Sequence, residues 1–285
     1  MGARTIYQSP SLRVDDYRCG AAPGDPSFPE QHHTHCLAFV RRGSFGYRVR
    51  GKPHQLVAGA LLVGRKGDEF VCTHDHHCGG DECLSLHLSE ELADQVGQRL
   101  SVFEVGCAPP LPELMVLGEL AQAAAEGSSS LAVEEAGMFL AARFAQLVSD
   151  RPAKSCRGTS VDRRRAVDAA LWLDQHAHEE VGLEDLAREA GLSSFHFLRM
   201  FSNALGVSPH QYLLRVRLRR AARHLAEREL SVTEIAYAVG FSDLSNFVRT
   251  FGRAAGMTPS AFRERAWGKR VGTQTKPSSG SRTHS

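Results

Sequence analysis

A helix-turn-helix signature occurs twice near the C-terminus of this 285-residue chain, and no other feature constrains its fold as much. The first copy reads Leu186, Ala187, Gly191, Leu192, Ser193, then Phe197, Leu198, Arg199, Met200, Phe201, then Gly206, Val207, Ser208, Pro209. The second reads Ile235, Ala236, Gly240, Phe241, Ser242, then Phe247, Val248, Arg249, Thr250, Phe251, then Gly256, Met257, Thr258, Pro259. Gly191 and Gly240 are 49 positions apart, but Arg199 and Arg249 are 50 apart, so one extra residue separates the registers. Such a repeat is one supersecondary unit used twice. The unit is two short helices joined by a tight turn, which presents its second helix to a DNA major groove.

Charge follows the repeat. Residues 1–150 hold 12 Lys+Arg against 19 Asp+Glu, whereas residues 151–285 hold 22 against 13. An acidic half joined to a basic half fits a nucleic-acid-binding module attached to something else. No apolar run approaches the roughly 18 residues of a membrane span, so no membrane partner is expected. The start, Met1 to Thr5, lacks an apolar signal core, and the expected location is cytoplasmic. Seven cysteines without an export signal read as free thiols or metal ligands rather than a disulfide framework.

The pattern predicts an α+β multidomain chain. Short apolar or alternating runs at 36–40, 45–49, 55–58, 61–63 and 83–88, punctuated by glycines, predict a small barrel or sandwich. Helical spacing follows at 112–126 and 130–150, with a break at Gly127 to Ser130. The expected units are a sensor domain at 1–109 and a helical dimerisation or packing segment at 110–150. A linker at 151–160 leads to an all-α DNA-binding domain at 161–267 and a disordered tail at 268–285. Leu140, Phe144 and Leu147 form a stripe that either packs on the barrel or meets a second copy in a homodimer.

Within each repeat, Ser193 and Ser242 are candidate N-caps, and Gly191 and Gly240 occupy the turn. Phe197 and Phe201, like Phe247 and Phe251, are four apart and face the core. Phe195, His196, Leu198, Arg199 and Ser202 are then the groove-facing candidates of the first copy. Leu244, Ser245, Asn246, Val248 and Arg249 are those of the second. A helix at about 209–228 joins the copies and spans ~30 Å, close to one DNA turn of roughly 34 Å. Its arginines, Arg215 and Arg219 among them, are candidates for phosphate contacts.

These residues resemble the DNA-binding domain of the arabinose-operon regulator (AraC/XylS) family over about 165–266. The resemblance implies a bacterial transcription regulator with two helix-turn-helix units per subunit, acting on duplex DNA and on RNA polymerase. It also implies an N-terminal cupin-like barrel that senses a small-molecule or metal effector and dimerises. The apolar Phe195, Leu198, Leu244 and Val248 depart from polar base readers, which leaves the operator sequence open.

The N-terminal half carries a surplus of ligand chemistry. His32, His33, His35 and Cys36 lie close together, as do Cys72, His74, His76, His77, Cys78, Asp81, Glu82 and Cys83. Imidazole and thiolate select zinc, nickel, copper or iron. Residues two apart on a strand point the same way, so His33, His35, His74, His76, Cys78 and Cys83 are the candidate metal set at one mouth of the barrel. The plain alternative is a mouth that binds an organic effector, or nothing. A metal-binding cupin enzyme, a thiol redox sensor using Cys78 and Cys83, and a regulator that accepts alkyl groups on a cysteine are the other readings. No complete acid/base set is visible, so no catalytic residues are assigned.

Overall fold

The computed structural model describes residues 2–74, 80–97, 100–149, 158–227 and 229–267. Strands come first: β1 (Gly2–Gln8), β2 (Leu12–Cys19), β3 (Pro29–Gln31), β4 (His35–Val49), β5 (Lys52–Val57), β6 (Leu61–Gly64), β7 (Glu69–Thr73), β8 (Asp81–Leu88) and, after helix α1 (Glu90–Gly97), β9 (Cys107–Ala108). Helices follow: α2 (Pro112–Ala125), α3 (Val133–Ser149), α4 (Ser160–His176), α5 (Leu183–Glu189), α6 (Ser194–Leu205), α7 (Pro209–Glu227), α8 (Val232–Ala238), α9 (Leu244–Ala255) and α10 (Pro259–Trp267). The expected tail, and all of the expected linker but its last three residues, lie outside the described residues. Among the described residues no helix is long and apolar enough to cross a membrane.

The 15-residue β4 is the spine of the sheet-rich half. Its first half pairs with β8 and β6, and its second half with β5 and β7. The change occurs at a register shift between Val40 and Arg42, followed by Gly43 at φ 77°. A bulge of this kind bends a strand and turns it from one sheet into the next. A Cβ at Gly43 would sit 2.1 Å from the Gly80 carbonyl oxygen, so only glycine fits. Alternate side chains of β4 then serve two cores. Leu37 and Phe39 face helices, while Cys36, Ala38 and Val40 face Tyr47, Leu56 and Leu62 across the fold.

The first sheet runs β1-β2-β8-β4-β6-β9. Among the described residues no pairing joins β1 to β9, so the expected closed barrel is instead an open sheet folded over itself. Closure needs two edges of matching length. Here β1 pairs only with β2, and β9 is two residues long.

The apolar stripe of α3 is spent on this sheet. Leu140, Phe144 and Leu147 are buried with Leu12, Leu37, Phe39 and Leu86, so in this structure those three side chains pack on the sheet. Helix α2 is buried on two sides. Leu114 and Ala121 meet the sheet; Val116, Leu120 and Ala123 meet Leu218, Leu225, Phe247 and Phe251 of the later helices. Gly118 allows the approach, since a Cβ there would lie 2.6 Å from the Phe39 ring. The later helices form two cores that share α7, one around Phe197, Phe201 and Tyr212, the other around Phe247, Phe251 and Phe262.

Two buried histidines make the sheet acid-sensitive. His32 bonds Tyr47 at 2.8 Å and stacks on Phe70, and His54 bonds Cys107 at 3.3 Å. Burial, reinforced for His32 by His87 and for His54 by Arg50, pushes each ring down to about 4. The unfolded rings titrate near 6.5, so the unfolded chain takes up protons first. Stability is complete above pH 6.5 and falls as pH drops toward 4. Urea midpoints are expected to show a loss of about 1–2 kcal/mol per ring between pH 7 and pH 5, removed by His32→Asn/His54→Asn. A flat profile over that interval contradicts neutral burial.

Candidate nucleic-acid interface

Each recognition helix is set by local chemistry. Ser193 caps α6, its hydroxyl accepting from the His196 backbone N–H. The expected second cap, Ser242, is displaced by Asp243, whose carboxylate accepts from the N–H groups of Ser245 and Asn246 at 3.1 and 2.8 Å. That shift accounts for the extra residue between the two repeats, and a carboxylate also suits the positive end of the helix. The turns before both helices use left-handed glycines, Gly191 at φ 67° and Gly240 at φ 99°. A Cβ at Gly240 would lie 2.7 Å from the Ala177 carbonyl oxygen. Ser208 opens α7 with a reciprocal cap: its hydroxyl accepts from the Gln211 N–H and the Gln211 side chain accepts from the Ser208 N–H.

The inward faces hold Phe197, Met200, Phe201 and Ala204 in α6, and Phe247, Thr250, Phe251 and Ala254 in α9. The outward face of α6 carries Phe195, 67% exposed, with His196, Leu198 and Arg199, while Ser202 is half-buried. In α9, Ser245 and Arg249 are exposed and Asn246 is half-buried. Leu244 and Val248 pack partly against the core and form a shoulder rather than an open face. Asn246 positions its neighbours: its amide oxygen accepts from Arg249 and from the Thr250 hydroxyl, each at 3.3 Å. Two further exposed residues, Asn203 and Arg253, lie one turn beyond Arg199 and Arg249. They occupy equivalent places in the two repeats, and their i+4 spacing was the available signal.

The arginines of α7 do not face outward together. Arg215, Arg219 and Arg223 recur every four residues and line the side turned toward the sheet-rich half. Arg215 donates to the Pro110 carbonyl. Arg219, 5% exposed, donates to the Arg41 carbonyl at 3.1 Å, and its guanidinium pairs with Asp174 and with Glu119. Arg223 reaches the same Glu119 at 3.1 Å. Burial alone would lower the Arg219 pKa, and Asp174 and Glu119 reverse it, so the guanidinium stays charged. Arg217 and Arg220 turn the other way and donate to the carbonyls that end α4, Ala177 and Glu179 from Arg217, Asp174 and Gln175 from Arg220. Arg215 and Arg219 are therefore interdomain ties in this structure rather than phosphate ligands. The reason is desolvation: a buried carboxylate such as Glu119 needs cationic partners, and α7 supplies them. Exposed basic groups elsewhere include Arg164, Arg165, Arg199, Arg249 and Arg253.

The expected metal set is divided. His35 pairs with Leu88 at one end of β8, whereas Asp81, beside His74, is at the other. Seven residues of strand separate them, roughly 23 Å. His33 is exposed, and His35 is buried against the Phe103 ring. His74 bonds Asp81 at 2.9 Å, and the Cys83 thiol is 3.9 Å from the same carboxylate. His76 and Cys78 lie outside the described residues. One mouth thus gathers His74 and Cys83, but not His33 and His35.

A family model described as "Helix-turn-helix domain" matches residues 186–265. The HTH-type transcriptional activator RhaS of Salmonella arizonae is 27% identical over 269 residues, covering 88% of this chain and 95% of RhaS. The C-terminal domain of AraT, a response regulator from Geobacillus stearothermophilus, is 27% identical over 41% of this chain and 95% of that domain, with a TM-score of 0.35. A transcriptional regulator with an AraC-type DNA-binding domain from Chromobacterium violaceum is 28% identical over 38% of this chain and 97% of its own, with a TM-score of 0.34.

Proposed function

We propose that this chain is an AraC-type helix-turn-helix transcription regulator that binds DNA, with α6 and α9 entering successive major grooves of one operator while the sheet-rich half receives an effector. The carrying observation is the pair of capped helices that present Arg199 and Arg249 at equivalent exposed positions. The 19 residues of α7 give ~28 Å between the two units, close to one DNA turn. The effector's place is a cavity of about 450 Å³ in the sheet-rich half, lined by Tyr17, Asp25, Phe28, Glu30, Cys72 and His74. Its signal reaches the DNA-binding helices through α2, which packs on both halves. RNA polymerase is the further partner of a regulator that acts on transcription. A homodimer, where formed, uses a surface other than the buried stripe of α3. The location that fits such a regulator is the cytoplasm.

The test is a footprint of the full chain on genomic fragments selected by binding. Protection is expected in two major grooves about one turn apart on one side of the duplex. Affinity should fall steeply with salt, because phosphate contacts release counterions. A single short protected segment, or binding unchanged between low and moderate salt, overturns the two-groove reading.

A further inference from the structure

Among the described residues, one group of three metal-ligating side chains converges: Cys19, His74 and Asp81. They come from three strand ends: Cys19 lies far upstream in the sequence, and His74 and Asp81 flank one connection. Cys19 closes β2 and Asp81 opens β8, and the two are direct partners in the β2–β8 register. Opposed residues on paired strands share a face, so both side chains leave the same side. His74 follows β7, which β4 holds through the pairing of Gly46 with Thr73. The Cys19 sulfur, an imidazole nitrogen and a carboxylate oxygen lie within 4.8 Å of one another. In a tetrahedral zinc site with bonds of about 2.0–2.3 Å, ligand atoms are roughly 3.3–3.8 Å apart. Side-chain adjustment of ~1 Å closes the difference.

The backbone under these groups is held tightly. Gly80 has φ 65°, and a Cβ there would lie 2.2 Å from the Cys19 carbonyl oxygen. With Gly43 packed on Gly80 in turn, the end of β2, the bend of β4 and the start of β8 are held at close approach. Preformed ligand positions of this kind lower the ordering cost of binding an ion.

The local charge is unbalanced in one direction. Asp81 is 4% exposed, and its ion pair among the described residues is to His74, with none to a Lys or Arg. A buried carboxylate surrounded by thiols and an imidazole lacks a fixed cation, and a divalent metal supplies one. The cavity of about 450 Å³ opens beside His74, toward Tyr17, Glu30 and Cys72.

We propose that Cys19, His74 and Asp81 bind one divalent zinc-class cation, with the fourth coordination position open to the cavity. Binding forms S–metal, N–metal and O–metal bonds. The Cys19 thiol proton leaves to bulk water, and the His74–Asp81 hydrogen bond is exchanged for the two metal bonds. The proton that Nε2 donates to Asp81 in the metal-free site passes through water to Nδ1, which frees the Nε2 lone pair for the metal. An open fourth position accepts water or a small anionic or thiol ligand. The site stands apart from the DNA-binding reading, since it needs neither operator nor organic effector.

Cobalt(II) is the probe. The full chain, chelator-treated and held under a phosphine reductant, is titrated with cobalt and followed by absorption. A thiolate-to-cobalt charge-transfer band and tetrahedral visible bands should saturate at one equivalent and be displaced by zinc. Cys19→Ser should abolish the charge-transfer band, and His74→Ala or Asp81→Asn should weaken binding by at least about 100-fold. Cys107→Ser, beside His54 on the two-residue β9, should leave the titration unchanged. Far-UV circular dichroism confirms that each variant is folded. No charge-transfer band in the parent chain overturns the proposal. So does a full band in Cys19→Ser, or parent-like affinity in Asp81→Asn, a change too small to unfold the sheet.

Discussion

Arg219→Ala is expected to destabilise the full chain by about 3 kcal/mol. Removing one partner of a buried ion pair costs about 3–5 kcal/mol, because the remaining charge stays buried and unpaired. The lower end applies here. Glu119 keeps Arg223, and Asp174 is 22% exposed and can be hydrated. The carbonyl of Arg41 also loses its donor, which links the change to the kink in β4. The double variant Arg219→Met/Glu119→Leu should recover much of the loss, since apolar side chains of similar volume need no counter-charge. Urea unfolding of the parent, both single variants and the double variant gives the coupling directly. A loss below about 1 kcal/mol for Arg219→Ala shows that this arginine is solvated in solution, and then its availability to DNA phosphates returns.

That arginine also marks where the sequence stops being legible. The helices of the repeat were readable because caps, glycines and apolar spacing all point the same way. The first helices of the two units, α5 and α8, occupy Leu183–Glu189 and Val232–Ala238, directly ahead of the turn glycines. The face presented by α7 was not readable. Arginine at i, i+4 and i+8 looks the same whether it meets phosphate or a buried glutamate. Glu119 lies about a hundred residues away, inside a mostly apolar helix.

Strands β1 and β2 escaped notice for a related reason. The run Leu12, Arg13, Val14, Asp15, Asp16, Tyr17 does not look like a buried strand. It becomes one because Arg41, reaching across β8 from β4, pairs with Asp16, while Asp15 pairs with Arg13 at 3.2 Å and lies 3.2 Å from the His87 ring on β8. Missing β2 meant missing Cys19, which reaches Asp81 only through that pairing. The His/Cys clusters were visible as composition, and their division between two ends of β8 was not. Register, not density, decides which ligands meet.

Arg199→Ala and Arg249→Ala are each expected to weaken operator binding roughly 5- to 150-fold, the range of a side chain that reads a base edge at about 1–3 kcal/mol. The two effects should multiply in the double variant. The helices belong to separate cores and, among the described residues, share no side-chain partner, so their contributions are independent. Arg249 is restrained by Asn246, while among the described residues Arg199 has no such tether at the equivalent Ser-Phe-His turn of α6. Asn246→Ala should therefore weaken binding as well, through loss of the position of Arg249. Arg215→Ala and Arg220→Ala are the internal comparison. Both residues are committed to carbonyls within the protein, so their loss should leave the salt slope of binding unchanged. Fluorescence anisotropy on one operator fragment, at several salt concentrations, reads all of these together. Should Arg215→Ala lower the slope by about one unit while Arg199→Ala does not change affinity, DNA lies along α7 instead of α6 and α9, and the two halves must part for it to do so.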